Sequence, residues 1–296
     1  MVILRRLRHT ATELDMGTLI DWHIHCFKPE HMSDEDRGRW AATNVAGEHK
    51  ADPTLFRQVI DEAGLDQFVL VSIPVHGGLR TPHDFIAEMV AEYPGRAVGF
   101  AAVHPKHASA ADEFEEAVTR HGMQGLKISP TYQAVDPRSP ECWQLYEIAI
   151  AHRVPVMMHC GGAYTGSLEF ADPCLVDKVA MAFPDLKIII AHFGQPYMEQ
   201  TAILMRKNAN VFADISARQH RPWQLYNGIM VAHEYKVTDR LLFGSDFPVL
   251  TPAEAIKRFR AINDWGVGIN VPRIPDELIE DILYERPLSL LDLTPA

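Results

Sequence analysis

His23 and His25 close the apolar segment Thr18–His25, one residue apart. On a strand, side chains two positions apart share a face, so both imidazoles point the same way. Neutral imidazoles paired like this suit Zn²⁺ or another transition ion. In a chain with 15 histidines such a pair also arises by chance, so it needs company. Three more polar residues end apolar runs in the same manner. His159 closes Val154-Pro-Val-Met-Met-His, His192 closes Ile188-Ile-Ile-Ala-His, and Asp246 closes Leu241-Leu-Phe-Gly-Ser-Asp. Each would lie close to burial and require a partner. A shared metal supplies one to all five. Lys127 stands inside Gly125-Leu-Lys-Ile-Ser, and a lysine in a buried strand is unusual. Its ammonium either pairs with a carboxylate such as Asp246 or reaches solvent along its stem. Alternatively, with a depressed pKa, it reacts with CO₂ to give a carbamate that bridges two cations.

These residues meet only if the elements carrying them end on one face. Candidate strands are Thr18–His25, Gln67–Pro74, Ala97–Val103, Gly125–Ser129, Val154–Cys160, Lys187–Phe193, Val211–Ser216 and Arg240–Asp246. Several are near-continuous apolar runs, as expected of parallel strands covered on both faces. Helical patterns alternate with them at Pro53–Ala63, Pro82–Ala91, Ala108–Arg120, Pro140–Ala151, Asp172–Ala182, Gln195–Lys207, Pro222–Tyr235 and Pro252–Trp265. Eight strand–helix units predict an α/β chain folded as a (β/α)₈ TIM barrel, one domain over residues 1–296. Such a barrel gathers the C-terminal ends of all its strands at one mouth. Residues 27–52, with Trp40, read as a loop or lid, and residues 275–296 as a helical tail packed on the barrel exterior.

Lys and Arg number 28 against 39 Asp and Glu, a formal charge of −11, which argues against nucleic acid or an anionic membrane as partner. No apolar stretch is long enough to span a bilayer, and the start Met1-Val-Ile-Leu-Arg-Arg does not read as a signal peptide. Cysteines 26, 142, 160 and 174 form no C-x-x-C pair and read as reduced thiols of a cytoplasmic protein. The signatures of P-loop, dinucleotide-binding, serine-hydrolase and zincin proteins are missing. A small-molecule substrate is expected, and a homodimer is the default assembly.

The ordered set His23-Ile-His25, Gly125-Leu-Lys127, His159, His192 and Gly244-Ser-Asp246 resembles the amidohydrolase superfamily. More narrowly, it resembles the amidohydrolase 2 branch that includes aminocarboxymuconate-semialdehyde decarboxylase. The resemblance runs from the first strand to the eighth. It implies a distorted barrel with one or two divalent ions, Zn²⁺ by default and Fe²⁺ or Mn²⁺ as alternatives. By that analogy His23, His25 and Asp246 hold one ion, His159 and His192 a second, and carboxylated Lys127 bridges them. In one-metal relatives the counterpart of His159 joins the first ion and that of His192 works as a free acid/base.

Gly-Leu-Lys followed by Pro130-Thr-Tyr-Gln is similar to the branch's hydrolases, which favours a binuclear metal centre and hydrolysis. A metal-activated hydroxide would then attack the carbonyl of an amide, ester, lactone or thioester in a small, carboxylate-bearing or apolar molecule, with Asp246 moving the proton. The runner-up is a mononuclear lyase, a decarboxylase or hydratase with His192 as acid. A non-catalytic barrel with a structural metal is the third reading. Ser129, where relatives often have His, and Glu285-Arg-Pro, in place of a family-like Asn-Ala, depart from the pattern without touching the ligands. Substrate contacts are expected from the strand-to-helix loops. The candidates are His76, Arg80, Tyr132, Tyr164 and Arg218, the two arginines as carboxylate or phosphate clamps or else as solvated surface charges. Asp214 is expected to orient His192.

Overall fold

In the computed structural model, residues 17–35, 38, 51–73, 79–163, 166–268 and 270–296 are described. Eight strands pair in parallel in sequence order. They are β1 (Ile20–Ile24), β2 (Gln67–Val71), β3 (Ala97–Ala102), β4 (Leu126–Ile128), β5 (Val156–His159), β6 (Ile188–Ala191), β7 (Val211–Asp214) and β8 (Leu241–Leu242). Backbone bonds from Trp22 to Phe243 and from Asp246 to His23, both 2.8 Å, join the last strand to the first. The result is a single-domain TIM barrel. β8 is far shorter than Arg240–Asp246, because a 3₁₀ turn at Thr238–Arg240 precedes it and the chain leaves the ladder before Asp246.

Helices cover the outside, and local chemistry sets their ends. Asp52 accepts from the Thr54 and Leu55 amides to cap Pro53–Ala63, and Gly64, at φ 64°, ends that helix in the left-handed region. Pro140–Ala151 and Pro222–Tyr235 start on proline, where the lost N–H costs little. Met198–Lys207 begins later than the Gln195 expected, since residues 192–194 form a separate left-handed turn. No described helix is long and apolar enough to cross a membrane.

The apolar core has two parts. Side chains such as Phe56, Phe68, Leu70, Phe114 and Ile190 pack between strands and helices. Ile20, Trp22, Val69, Val98, Phe100, Met157, Ile189, Phe212 and Leu242, drawn from seven strands, fill the barrel itself. The tail divides between the two. Helix Asp276–Tyr284 buries Leu278, Ile279, Ile282 and Leu283 in the outer cluster, as an exterior tail should. The segment after it does not stay outside: Leu288, Leu291 and Leu293 join the inner cluster and close the lower end of the barrel. Polar straps hold it there. Arg286 O accepts from the Trp22 indole (3.2 Å), Lys187 Nζ reaches Leu290 O (3.0 Å), and Ala296 N–H reaches Ala97 O (3.1 Å). Of residues 27–52, expected as loop or lid, only 27–35, 38, 51 and 52 are described, and Trp40 falls outside.

Candidate metal centre

β1 pairs with β2 in one register up to Asp21 and in another from Ile24, so the strand carries a bulge between them. The bulge lets Trp22 fill the barrel while His23 and His25 turn into the mouth above it. The Asp21 carboxylate holds the distortion, accepting from the His23 and Ser245 amides, each at 3.1 Å. Two other strand ends are re-aimed by backbone conformation: His192 and Asp246 both sit at φ 57°, a left-handed region that non-glycine residues adopt at a cost of about 1–3 kcal/mol. All four imidazoles converge. Ring centroids lie 4.9 Å apart for His23 and His25, 5.0 Å for His23 and His192, and 4.9 Å for His159 and His192.

Asp246 lies among them. Its Oδ1 is 3.1 Å from His25 Nε2 and 3.6 Å from His23 Nε2, and its Oδ2 is 3.9 Å from His192 Nδ1. His23, His192 and Asp246 each offer a ligand atom within 4.8 Å of the others. The remaining ring nitrogens are tied back to the scaffold. His23 Nδ1 is 3.0 Å from Asp214 Oδ2, His25 Nδ1 is 2.7 Å from Val71 O, and His159 Nε2 is 3.1 Å from Gly162 O. These acceptors take the ring protons, so lone pairs are left at His23 Nε2, His25 Nε2 and His159 Nδ1. Gly161 makes the last contact available. At φ 99° it packs so closely on Gln195 O that a Cβ would stand 2.1 Å away.

Lys127 Nζ is within this group, 3.1 Å from His23 Nε2 and 3.5 Å from Met157 Sδ. Burial lowers its pKa to about 8. Burial, then the Lys127 charge, lowers His159 to about 3, and the same two causes lower His23. Burial also takes His192 well below the ordinary histidine value. Asp246 and Asp214 are driven the other way. Burial opposes their ionisation, but neighbouring histidines hold both well below the usual carboxylate range. At neutral pH His23, His159 and His192 are therefore neutral imidazoles, and Asp214 and Asp246 are ionised carboxylates, the states that donate electron pairs. His25 Nε2 lies 3.1 Å from Asp246 Oδ1, and His23 Nε2 lies 3.6 Å from the same oxygen. Imidazole nitrogens gathered around a carboxylate form a donor set that fits a borderline transition ion.

A cavity of about 230 Å³ opens beside the cluster, lined by Tyr132, His159, His192, Gln195, Arg218, Arg221 and Asp246, among others. Tyr132 meets His159 edge-on at 5.0 Å. Arg218 is buried, with Nη1 donating to Gln195 Oε1 at 2.7 Å, and is no solvated surface charge. Arg80 is placed elsewhere: it pairs with Glu113 in a separate surface hollow with His83, Glu116 and His121. His76 and Tyr164 lie outside the described residues. Asp214 takes a different part from the one expected. Its side chain bonds the His23 ring and reaches His192 only through the backbone N–H, at 3.0 Å. Against the His192 ring stands Ser216, its Oγ 2.8 Å from Nδ1. Asp21, Gln195, Ser216 and Arg221 went unnoticed in sequence. For Asp21 and Ser216 a signal existed, since each lies two residues from a polar strand-end residue, His23 and Asp214.

A family model described as amidohydrolase matches residues 20–293. Comparison with curated proteins finds no match. Similar solved structures include a 5-carboxyvanillate decarboxylase from Novosphingobium aromaticivorans in complex with manganese and 4-hydroxy-3-methoxy-5-nitrobenzoic acid. It is 13% identical with TM-score 0.65, the alignment covering 94% of this chain and 96% of that one. A dihydroxybenzoic acid decarboxylase from a Polaromonas species, with bound manganese and 2-nitroresorcinol, is 18% identical with TM-score 0.63, covering 93% and 97%. A probable 2-pyrone-4,6-dicarboxylic acid hydrolase from Acinetobacter baumannii, with citric acid bound, is 18% identical with TM-score 0.61, covering 93% and 100%.

Proposed function

The chain belongs to the amidohydrolase family, and from that premise we propose that it is a metal-dependent hydrolase of a small carbonyl compound bearing a carboxylate. The observation that carries this reading is Lys127, whose amine lies 3.1 Å from His23 Nε2 inside the ring of histidines rather than against solvent. A lysine so placed, with its pKa lowered to about 8, supports carboxylation and a bridge between two ions. His23, His25 and Asp246 would hold one ion, and His159 and His192 the other. Zn²⁺ is the default, with Fe²⁺ or Mn²⁺ as alternatives. Bound divalent ions supply Lewis acidity toward a carbonyl oxygen and ease deprotonation of water near neutral pH.

The chain's own residues do the rest. Asp246, ionised at the cavity wall, accepts the proton of the attacking water and returns it to the leaving group. Arg218, held by Gln195, receives the substrate carboxylate, with Tyr132 as an apolar wall against His159. His76 and Tyr164 remain proposed contacts from the neighbouring loops. A cytoplasmic location is proposed as well, and the four unpaired cysteine thiols accord with a reducing compartment.

A mononuclear lyase is the second reading. The compact trio His23, His192 and Asp246, sized for a single ion, favours it, and so do the decarboxylases among the structural relatives. A purely structural metal is disfavoured by the cavity against His159, His192 and Asp246, because structural sites are closed. The deciding experiment is metal content by plasma mass spectrometry on wild type and Lys127→Ala, joined to a substrate screen. About two ions per chain falling to about one, with acid released from carboxylated lactones, esters or amides, supports hydrolysis. About one ion in both proteins, with CO₂ released from aromatic carboxylates, establishes the lyase.

A further inference from the structure

We propose that Ser216, with Asp214 behind it, is a positioning residue that sets which ring nitrogen carries the proton in both His192 and His23. A serine hydroxyl has one proton to give and two lone pairs to receive with. Ser216 Oγ touches three groups: Asp214 Oδ1 in a short hydrogen bond, His192 Nδ1 at 2.8 Å and His23 Nδ1 at 3.1 Å. Asp214 Oδ1 is already an acceptor, taking the His192 and Ser216 backbone N–H groups at 3.0 Å each, so the hydroxyl proton goes to it as well. Both histidine contacts are then acceptances by Oγ, and each Nδ1 must bring its own hydrogen.

The other neighbours of these nitrogens make the same demand. His23 Nδ1 also faces Asp214 Oδ2 at 3.0 Å, and His192 Nδ1 also faces Ser216 O at 3.3 Å, both acceptors. Asp246 Oδ2, 3.9 Å from His192 Nδ1, is too far to take that hydrogen. Nε2 therefore keeps the lone pair on both rings. Three polar contacts hold the Ser216 hydroxyl where it stands. The residue is fully buried, and its own N–H donates to the same Asp214 Oδ1 at 3.0 Å. The two rings depend on the hydroxyl unequally. His23 keeps a carboxylate when the hydroxyl is lost, whereas His192 keeps only the longer carbonyl contact.

The consequence for metal binding rests on the proposed reading that both rings are ligands, but the tautomers themselves do not. The test is ¹⁵N NMR of the histidine rings in metal-free wild type and Ser216→Ala, followed by Zn²⁺ titration of each against a competing chelator. Wild type is expected to show Nδ1–H for both rings. Ser216→Ala should leave His23 so, turn His192 into a tautomer mixture, and weaken Zn²⁺ binding by about 10–100-fold. A variant whose His192 stays Nδ1–H with unchanged affinity overturns the proposal, as does a wild-type His192 carrying Nε2–H. Wild type that takes up no Zn²⁺ or Mn²⁺ overturns the metal-enzyme reading instead, and the ring spectra still decide the role of Ser216.

Discussion

At the upper end of the barrel, the residues His192 and Asp246 that follow β6 and β8 are left-handed, and a lysine, two aspartates and four histidines lie within reach of one another. At the lower end, Leu288, Leu291 and Leu293 seal an interior of valines, isoleucines and aromatic rings. Both ends belong to the same eight strands, about four residues each, so the contrast is one of side chains and not of scaffold. Desolvated charges and left-handed backbone lower stability, and packed aliphatic side chains raise it. The lower half thus provides the cohesion that lets the upper half hold lone pairs in proximity.

That contrast makes separable predictions. Asp246→Asn should cut kcat by about 10²–10⁴-fold on the substrate found by screening, while the urea midpoint of the metal-free protein stays level or rises. A large drop in midpoint would show that the mouth also supports the fold. Leu291→Ala should do the reverse, costing about 2–5 kcal/mol in urea melts with metal content per folded chain unchanged. If it empties the metal site instead, the two ends are coupled.

Asp21 stands between the ends and gives a pH signature. Burial raises its pKa from 3.8 to about 7, so between those values the folded chain holds a proton that the unfolded chain has lost. Its contribution to stability is complete below pH 4 and drains away as pH rises toward 7 and beyond. Asp21→Asn keeps an acceptor for the His23 and Ser245 amides and removes the titration. It should gain on wild type by a few kcal/mol between pH 4 and 8, at roughly 1.4 kcal/mol per pKa unit. Parallel urea melts across that range would show the gap failing to widen if Asp21 is ionised in the fold. Arg80→Ala should do least, within about 0.5 kcal/mol in stability and with kcat/KM unchanged. A fall in kcat/KM would return Arg80 to the substrate site.

What could be read in advance follows the same division. The strands were legible because Ile188-Ile-Ile-Ala and Phe68-Val-Leu-Val are too apolar for anything but a doubly covered sheet. His159, His192 and Asp246 were legible because a polar residue that closes such a run is carried close to burial and must be satisfied there. Partnerships across strands were not. Asp214 was expected at the His192 ring and bonds His23 instead, since its choice depends on how β7 sits against β1 and β6, which no local pattern encodes. The bulge at Trp22–His23 was hidden for the same reason: it appears only as a register change against β2. Arg80 was misplaced because its partner, Glu113, comes from the start of the next helix but one in sequence. Leu288, Leu291 and Leu293 show the spacing of any amphipathic turn, which does not say whether the face it seeks lies outside the barrel or beneath it.

The bond from the Trp22 indole to Arg286 O spans 264 residues. It ties the strand that carries His23 and His25 to the segment that seals the barrel. During synthesis the first strand therefore waits for nearly the whole chain before its own surroundings are complete. Local strand–helix units can form as they emerge, but the interior stays open to water until Leu288–Leu293 arrives. Protection of the Trp22 indole hydrogen from exchange is thus a clock for the final step of folding.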